Sequence, residues 1–294
     1  MATVLLTGGT GLVGSYLQKK LEANNHTVSI LSRNPQKDNH FKWDIDAGYI
    51  DEKAFENLDY IIHLAGAGIA DKRWTSSRKE ILISSRVASA NLLFTKIKTL
   101  NIPLKGFISS SGIGFYGAQT TSKIYKEEDN PANDFIAQIC IDWEKAAQQF
   151  SELSIPVTIL RTGVVLSKDG GALQKMNTPL FLSALGNGKQ YVPWIHIEDL
   201  CNLYVKSIED VDFSGIYNAV SIDHETNTSF TKTLGKTIKK PVTPFNVPSF
   251  VLRTVLGELA VIVLEGSRVS AEKTANKYDF MYTKLSDALK NIYS

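Results

Sequence analysis

The stretch that most constrains this chain is Val4-Leu5-Leu6-Thr7-Gly8-Gly9-Thr10-Gly11-Leu12-Val13-Gly14. Val4 to Leu6 is an apolar run of the kind a buried parallel strand needs. Gly8, Gly11 and Gly14 then punctuate a turn into a segment where Val13, Leu17 and Leu21 recur at helical spacing. A strand, a glycine-rich turn and a helix, in that order, is what a phosphate-binding unit requires. Glycines let the backbone approach a pyrophosphate, and the first helical turn offers unpaired N–H groups at the positive end of its dipole.

Three spaced glycines also fit an ordinary tight turn, so the surroundings carry the weight. A second strand, Thr27 to Leu31, follows the helix and ends in Ser32-Arg33, nineteen positions beyond Gly14. Where such a unit binds NAD, an acidic residue near this point takes the ribose 2′-hydroxyl. Arg33 is a cation and suits a 2′-phosphate. The expected cofactor is NADP(H) in preference to NAD(H). Gly8, Thr10, Gly11, Leu12, Val13 and Gly14 would hold it at the turn, and Ser32 and Arg33 at the adenosine ribose. Phe41 to Ile45 reads as a third strand. Asp44 within it could accept from an adenine amino group or be a solvated turn aspartate. Leu58 to Leu64 reads as a fourth strand. It runs into Leu64-Ala65-Gly66, small enough beyond Leu64 for close approach to a ligand at a strand's carboxyl end.

The rest of the chain keeps the alternation. Trp74 to Leu100 reads as a long helix with Ile81, Val87, Ala88, Leu92 and Leu93 inward, and Arg73, Arg78, Lys79 and Arg86 nearby. Gly106 to Ser111 is a fifth strand, Asp134 to Leu153 a helix, and Pro156 to Arg161 a sixth strand. This rhythm predicts an α/β fold with a doubly wound parallel sheet. Beyond Arg161 it loosens. Leu173 to Leu185 looks helical around a break at Pro179, and Pro241, Pro244 and Pro248 stiffen a connector before apolar helices. The expected division is a dinucleotide-binding domain over 1–168, with 190–222 returning to it, and a smaller substrate-side lobe from 169–189 and 223–294.

Composition excludes several classes. A net charge of +2 with scattered basic residues gives no footprint for nucleic acid or an anionic membrane. Two cysteines without a Cys-x-x-Cys pair and five unclustered histidines suggest neither a disulfide framework nor a metal site. Strand residues come at once, leaving no room for a signal peptide, and no apolar run is long enough to span a bilayer. A cytoplasmic protein acting on a small molecule is the expectation.

Several further pieces resemble the extended short-chain dehydrogenase/reductase superfamily, which has a Rossmann-type sheet. They are the glycine turn, His63-Leu64-Ala65-Gly66, Ser109-Ser110-Ser111 before Tyr116-Gly117, Leu160-Arg161-Thr162-Gly163, and Trp194-Ile195-His196-Ile197-Glu198-Asp199. A narrower likeness rests on Arg73-Trp74-Thr75, Ser85-Arg86, Asp142-Trp143-Glu144, Gly171-Ala172-Leu173, Gly257-Glu258-Leu259-Ala260 and Gly266-Ser267-Arg268-Val269. These are similar to the atypical "epimerase family protein" subgroup (NAD-dependent epimerase/dehydratase-like), which ends in a small domain of unknown function. That likeness covers essentially the whole chain and implies a fold and a cofactor class rather than a reaction.

The resemblance also implies a tyrosine as general acid/base, with a lysine four residues later to lower its pKa, and a serine to polarise a substrate carbonyl. Anchored on Glu144, the tyrosine position is Ile136 and the lysine position is Cys140. Two Tyr-x-x-x-Lys matches, Tyr16 with Lys20 and Tyr49 with Lys53, lie where the nicotinamide does not. The remaining candidates for chemistry are Ser110 or Ser111, separated by a one-residue ambiguity, and Tyr116. Cys140 could be a reactive thiol or a buried helix cysteine. Arg161, at a strand's end, and Arg73 are candidates for holding cofactor or substrate anions. Two functions stay open: an NADP(H)-dependent oxidoreductase or epimerase-like enzyme on a carbonyl or nucleotide-sugar, and a non-catalytic NADP(H)-binding redox sensor or regulator.

Overall fold

In the computed structural model, which describes Met1–Ser294 throughout, the first half alternates strands and helices. In order these are β1 (Thr3–Thr7), α1 (Leu12–Ala23), β2 (Thr27–Ser32), β3 (His40–Asp44), β4 (Tyr49–Ile50), β5 (Tyr60–His63), α2 (Ser76–Leu100), β6 (Gly106–Gly112), β7 (Ile124–Tyr125), α3 (Phe135–Gln148) and β8 (Val157–Thr162). The second half has β9 (Val164–Leu166), α4 (Ala172–Met176), β10 (Trp194–His196), α5 (Ile197–Glu209), β11 (Gly215–Ala219), α6 (Asn227–Thr237), α7 (Ser249–Leu256), α8 (Val261–Leu264), β12 (Arg268–Val269), α9 (Glu272–Ala275) and α10 (Leu285–Tyr293).

Eight strands form one sheet in the order β11-β8-β6-β5-β1-β2-β3-β4. All neighbours are parallel except β4, which turns back along β3 as an antiparallel edge. The winding direction reverses between β1 and β5. In sheets of this kind the crevice at that reversal, beyond the carboxyl ends of the strands, receives the ligand.

The pleat explains why the strands are apolar throughout. Successive side chains face opposite sides, and both sides are covered. Val4 and Leu6 pack with Leu17 and Leu21 of α1 and with Leu200 and Leu203 of α5. Leu5, Ile61, Phe107 and Ile159 pack on the other face with Leu93 and Ile97 of α2 and with Ala147 and Phe150. Side-chain caps fix where the helices begin. Thr75 Oγ1 accepts from Arg78 N, and Asp134 Oδ1 accepts from Ala137 N.

Two expectations change here. The buried stripe of α2 is Leu82, Arg86, Ser89, Ala90, Leu93 and Ile97, while Ile81 is exposed. The inner face therefore carries two polar residues that an apolar-only pattern passes over. The stretch Leu173 to Leu185 is helical only over Ala172–Met176. The chain bends at Pro179-Leu180, and Leu182 and Leu185 then bridge Val242 and Val247 of a distant segment. That pairing helps close a second core, in which Leu173, Leu182, Phe230 and Leu234 meet Leu285 and Leu289 of α10. No helix is long and apolar enough to cross a membrane.

Candidate functional site

The crevice at the winding reversal is built by Thr7 and the glycine turn. Thr7, last in β1, accepts the amides of both Leu64 and Ala65 on Oγ1, each at 3.1 Å. This pins the segment leaving β5 against the segment leaving β1. Gly8 has φ +68°, and a Cβ there would lie 2.9 Å from the Leu64 carbonyl carbon. At Gly14 a Cβ would stand 2.2 Å from the Gly8 carbonyl oxygen, so α1 packs against the turn with no room for a side chain. Gly11 caps α1, and the amides of Leu12, Val13 and Gly14 have no backbone partner. A backbone cradle with three free donors fits a pyrophosphate.

At the far end of this cradle Ser32 closes β2, its hydroxyl accepting the Asn34 amide. Arg33 is exposed, and no carboxylate pairs with it. Asp44 is also exposed; its Oδ1 accepts the Ala47 amide in a turn, which leaves Oδ2 free. Thr10 is exposed at the mouth, while Leu64, Ala65 and Gly66 line the path out of β5. These positions lie together at the carboxyl ends of β1, β2, β3 and β5.

Beyond Gly66 the crevice opens into a cavity of about 380 Å³ between the sheet and the C-terminal lobe. Ser111, Ile136, Cys140, Trp143, Gln190 and Arg86 are in its wall. Ile136 and Cys140 are one helical turn apart on α3, so they stand together where the resemblance assigns the tyrosine and the lysine. Neither can do that work. Ile136 has no labile proton, and the Cys140 thiol is pushed up to about 12 by burial and by the nearby Glu144 carboxylate.

The structure separates the two serine candidates. Ser111 lines the cavity; Ser110, one residue out of phase, lies beside Tyr204 on the α5 side of the sheet. The Ser111 hydroxyl is 2.7 Å from Glu144 Oε1. Glu144 is buried and ion-paired with Arg161, hence an acceptor only, so Ser111 must donate to it. Towards the cavity Ser111 offers lone pairs, which suits a donor on the ligand rather than a substrate carbonyl.

Arg161 and Tyr116 are corrections to the expected site. Arg161 is buried and forms a two-pronged pair with Glu144, Nε to Oε1 at 2.8 Å and Nη2 to Oε2 at 2.9 Å. Its Nη1 donates to the Tyr116 hydroxyl and to the Glu127 carbonyl. The guanidinium is taken up by these partners inside the protein. Tyr116 is fully buried. It donates to Asn218 Oδ1 at 2.7 Å, and burial pushes its phenol up to about 12. It is a strut between β6, β8 and β11, away from the cavity. Arg73 likewise ties to the Thr254 carbonyl of α7.

His63 is the other buried titratable group beneath the crevice. Its Nδ1 accepts from Trp143 Nε1 at 3.2 Å, and its Nε2 meets Ser89 Oγ at 2.8 Å. Burial, with Arg86 nearby, holds it down to about 3, so it is a neutral structural link. The two other Tyr-x-x-x-Lys matches are surface features. Tyr16 donates to Asp169, Lys20 pairs with Glu198, and Tyr49 is exposed.

Residues 4–222 match the model of the NAD dependent epimerase/dehydratase family. The chain belongs to that family. Residues 247–292 match a domain of unknown function that follows it. An epimerase family protein of Mycobacterium leprae is 35% identical over 264 residues, 88% of this chain and 84% of that one. One of Staphylococcus aureus is 34% identical over the full length of both chains. The crystal structure of human epimerase family protein SDR39U1 with NADPH superposes with a TM-score of 0.88 at 30% identity, covering 99% of this chain and 98% of that one. The family binds a nicotinamide dinucleotide.

Proposed function

We propose that this family member is an NADP(H)-dependent oxidoreductase of the cytoplasm, acting on a small carbonyl compound in the cavity beside Gly66. The observation that carries the cofactor preference is Arg33, exposed at the end of β2 with no carboxylate of its own. The human relative crystallised with NADPH supports the same reading. Two buried free cysteines and no disulfide fit a reducing compartment.

The bound cofactor supplies or takes a hydride. The chain's own residues do the rest. The amides of Leu12, Val13 and Gly14 and the Arg33 guanidinium hold the anionic groups. The Ser111 hydroxyl, held by Glu144, orients a donor by accepting from it. Ile113, Ile136, Ile139 and Ile262 exclude water from the reacting region. Ile136 has no proton to give, so the proton on the substrate oxygen falls to another group of this wall, in which Tyr191 is the phenol.

A second reading, an NADP(H)-binding sensor without turnover, is favoured by the same wall. Ile136 and Cys140 replace the proton-transfer pair, and the hydroxyls of Ser111 and Tyr116 are both committed inside the protein. The two readings separate in one experiment: oxidation of NADPH followed against a panel of aldehydes, ketones and nucleotide-sugars. Consumption with an apolar carbonyl compound supports the oxidoreductase. Tight NADPH binding with no consumption across the panel supports the sensor.

A further inference from the structure

Arg86 stands out among the buried cations. It lies on the inner stripe of α2 and is 8% exposed. Its Nη1 donates to the Leu82 carbonyl at 2.7 Å and its Nη2 to the Ala67 carbonyl at 3.0 Å. Its Nε has no partner. The guanidinium carbon lies 4.8 Å from the Trp143 ring centroid. No carboxylate pairs with it, whereas the other buried guanidinium, Arg161, has Glu144. A buried charge compensated only by carbonyls and a ring is costly, and an incoming anion would offset that cost.

Its place is specific. A Cβ on Gly66 would lie 3.0 Å from Arg86 Cζ, so the guanidinium sits directly under the segment leaving β5. It enters the same wall as Cys140, bringing from α2 the cation that α3 lacks. The wall otherwise holds one carboxylate, Glu265, which accepts from Thr120, and much of the rest is apolar. A pyrophosphate would need more donors than one guanidinium offers. Next to it, sharing Ile69, Val164, Met176, Leu185 and Ile262, is a chamber of about 740 Å³ whose lining is mainly apolar.

We propose, resting on the reading that this cavity is the substrate chamber, that Arg86 is its anion-binding group and that the substrate is a small carboxylate with an apolar body. The carboxylate pairs with Arg86, and the body extends into the larger chamber between Ile69 and Val164.

The test uses the full chain saturated with NADPH and two probes of matched shape, 4-phenylbutyrate and the neutral 4-phenylbutanol, titrated by calorimetry. The carboxylate is expected to bind at least about tenfold tighter than the alcohol. Arg86→Gln should abolish that preference while leaving NADPH affinity within about twofold, and Arg86→Lys should restore part of it. Should Arg86→Gln fail to fold, Arg86→Lys alone tests the point, because a point charge loses the two-pronged pairing and with it part of the preference. Equal binding of the two probes, a preference that survives substitution, or no saturable binding of either overturns the proposal. A large loss of NADPH affinity in Arg86→Gln overturns it too, by making Arg86 a cofactor ligand. Failure of the unaltered protein to bind NADPH at all is a different result and sinks the cofactor reading instead.

Discussion

The Ser111 hydroxyl donates to Glu144 Oε1 at 2.7 Å, inside a buried network that continues through Arg161 to Tyr116. Ser111, which lines the cavity, is thus also part of the scaffold linking β6, α3 and β8. Removing one partner of a buried ion pair leaves the other uncompensated. Glu144→Gln should therefore destabilise the fold by about 3–5 kcal/mol, against about 1 kcal/mol for Ser111→Ala, both read from urea unfolding. Equal small losses would show that the Arg161 pair is not what holds these elements together.

His63 makes a prediction about acid. Its native pKa is held down to about 3 by burial, while an unfolded histidine titrates at its ordinary value of 6.5. Below 6.5 the unfolded chain takes up a proton that the native state refuses. The stability from a neutral His63 is therefore fully present above that pH and falls as pH drops towards 3, by up to about 1.4 kcal/mol per unit. His63→Gln should be less stable than the parent at neutral pH yet lose less on going to pH 5. Parallel loss in both proteins, measured by urea midpoints, would remove His63 from the account.

The two thiols should be inert in the native state. Cys140 and Cys201 are both pushed up to about 12 by burial. Iodoacetamide at mildly alkaline pH should leave both unmodified in the folded protein and label both in denaturant. Rapid labelling of Cys140 in the native protein would reinstate it as a reactive group.

The glycine turn and the strand–helix alternation were legible in the sequence, because each is a local pattern. Arg161 misled for a physical reason: a strand's carboxyl end is where ligands gather, but Glu144 reaches it from α3 and takes up the charge. Arg86 was visible as one of several cations near a helix and as part of a family-like Ser85-Arg86 pair, but its burial depends on how α2 lies against α3. The extended run at Leu182 to Leu185 is set by partners some sixty residues away, Val242 and Val247. Short strands such as β7 and β12 exist only through each other, and no local signal marks them.

The central claim, an NADP(H) site read by Arg33, is tested most directly by calorimetric titration of NADPH and NADH into the unaltered protein and into Arg33→Asp. The account predicts NADPH binding at least about tenfold tighter than NADH in the unaltered protein, with the preference lost or reversed in the variant. Equal affinities in the unaltered protein, or a ratio that Arg33→Asp leaves unchanged, would contradict it.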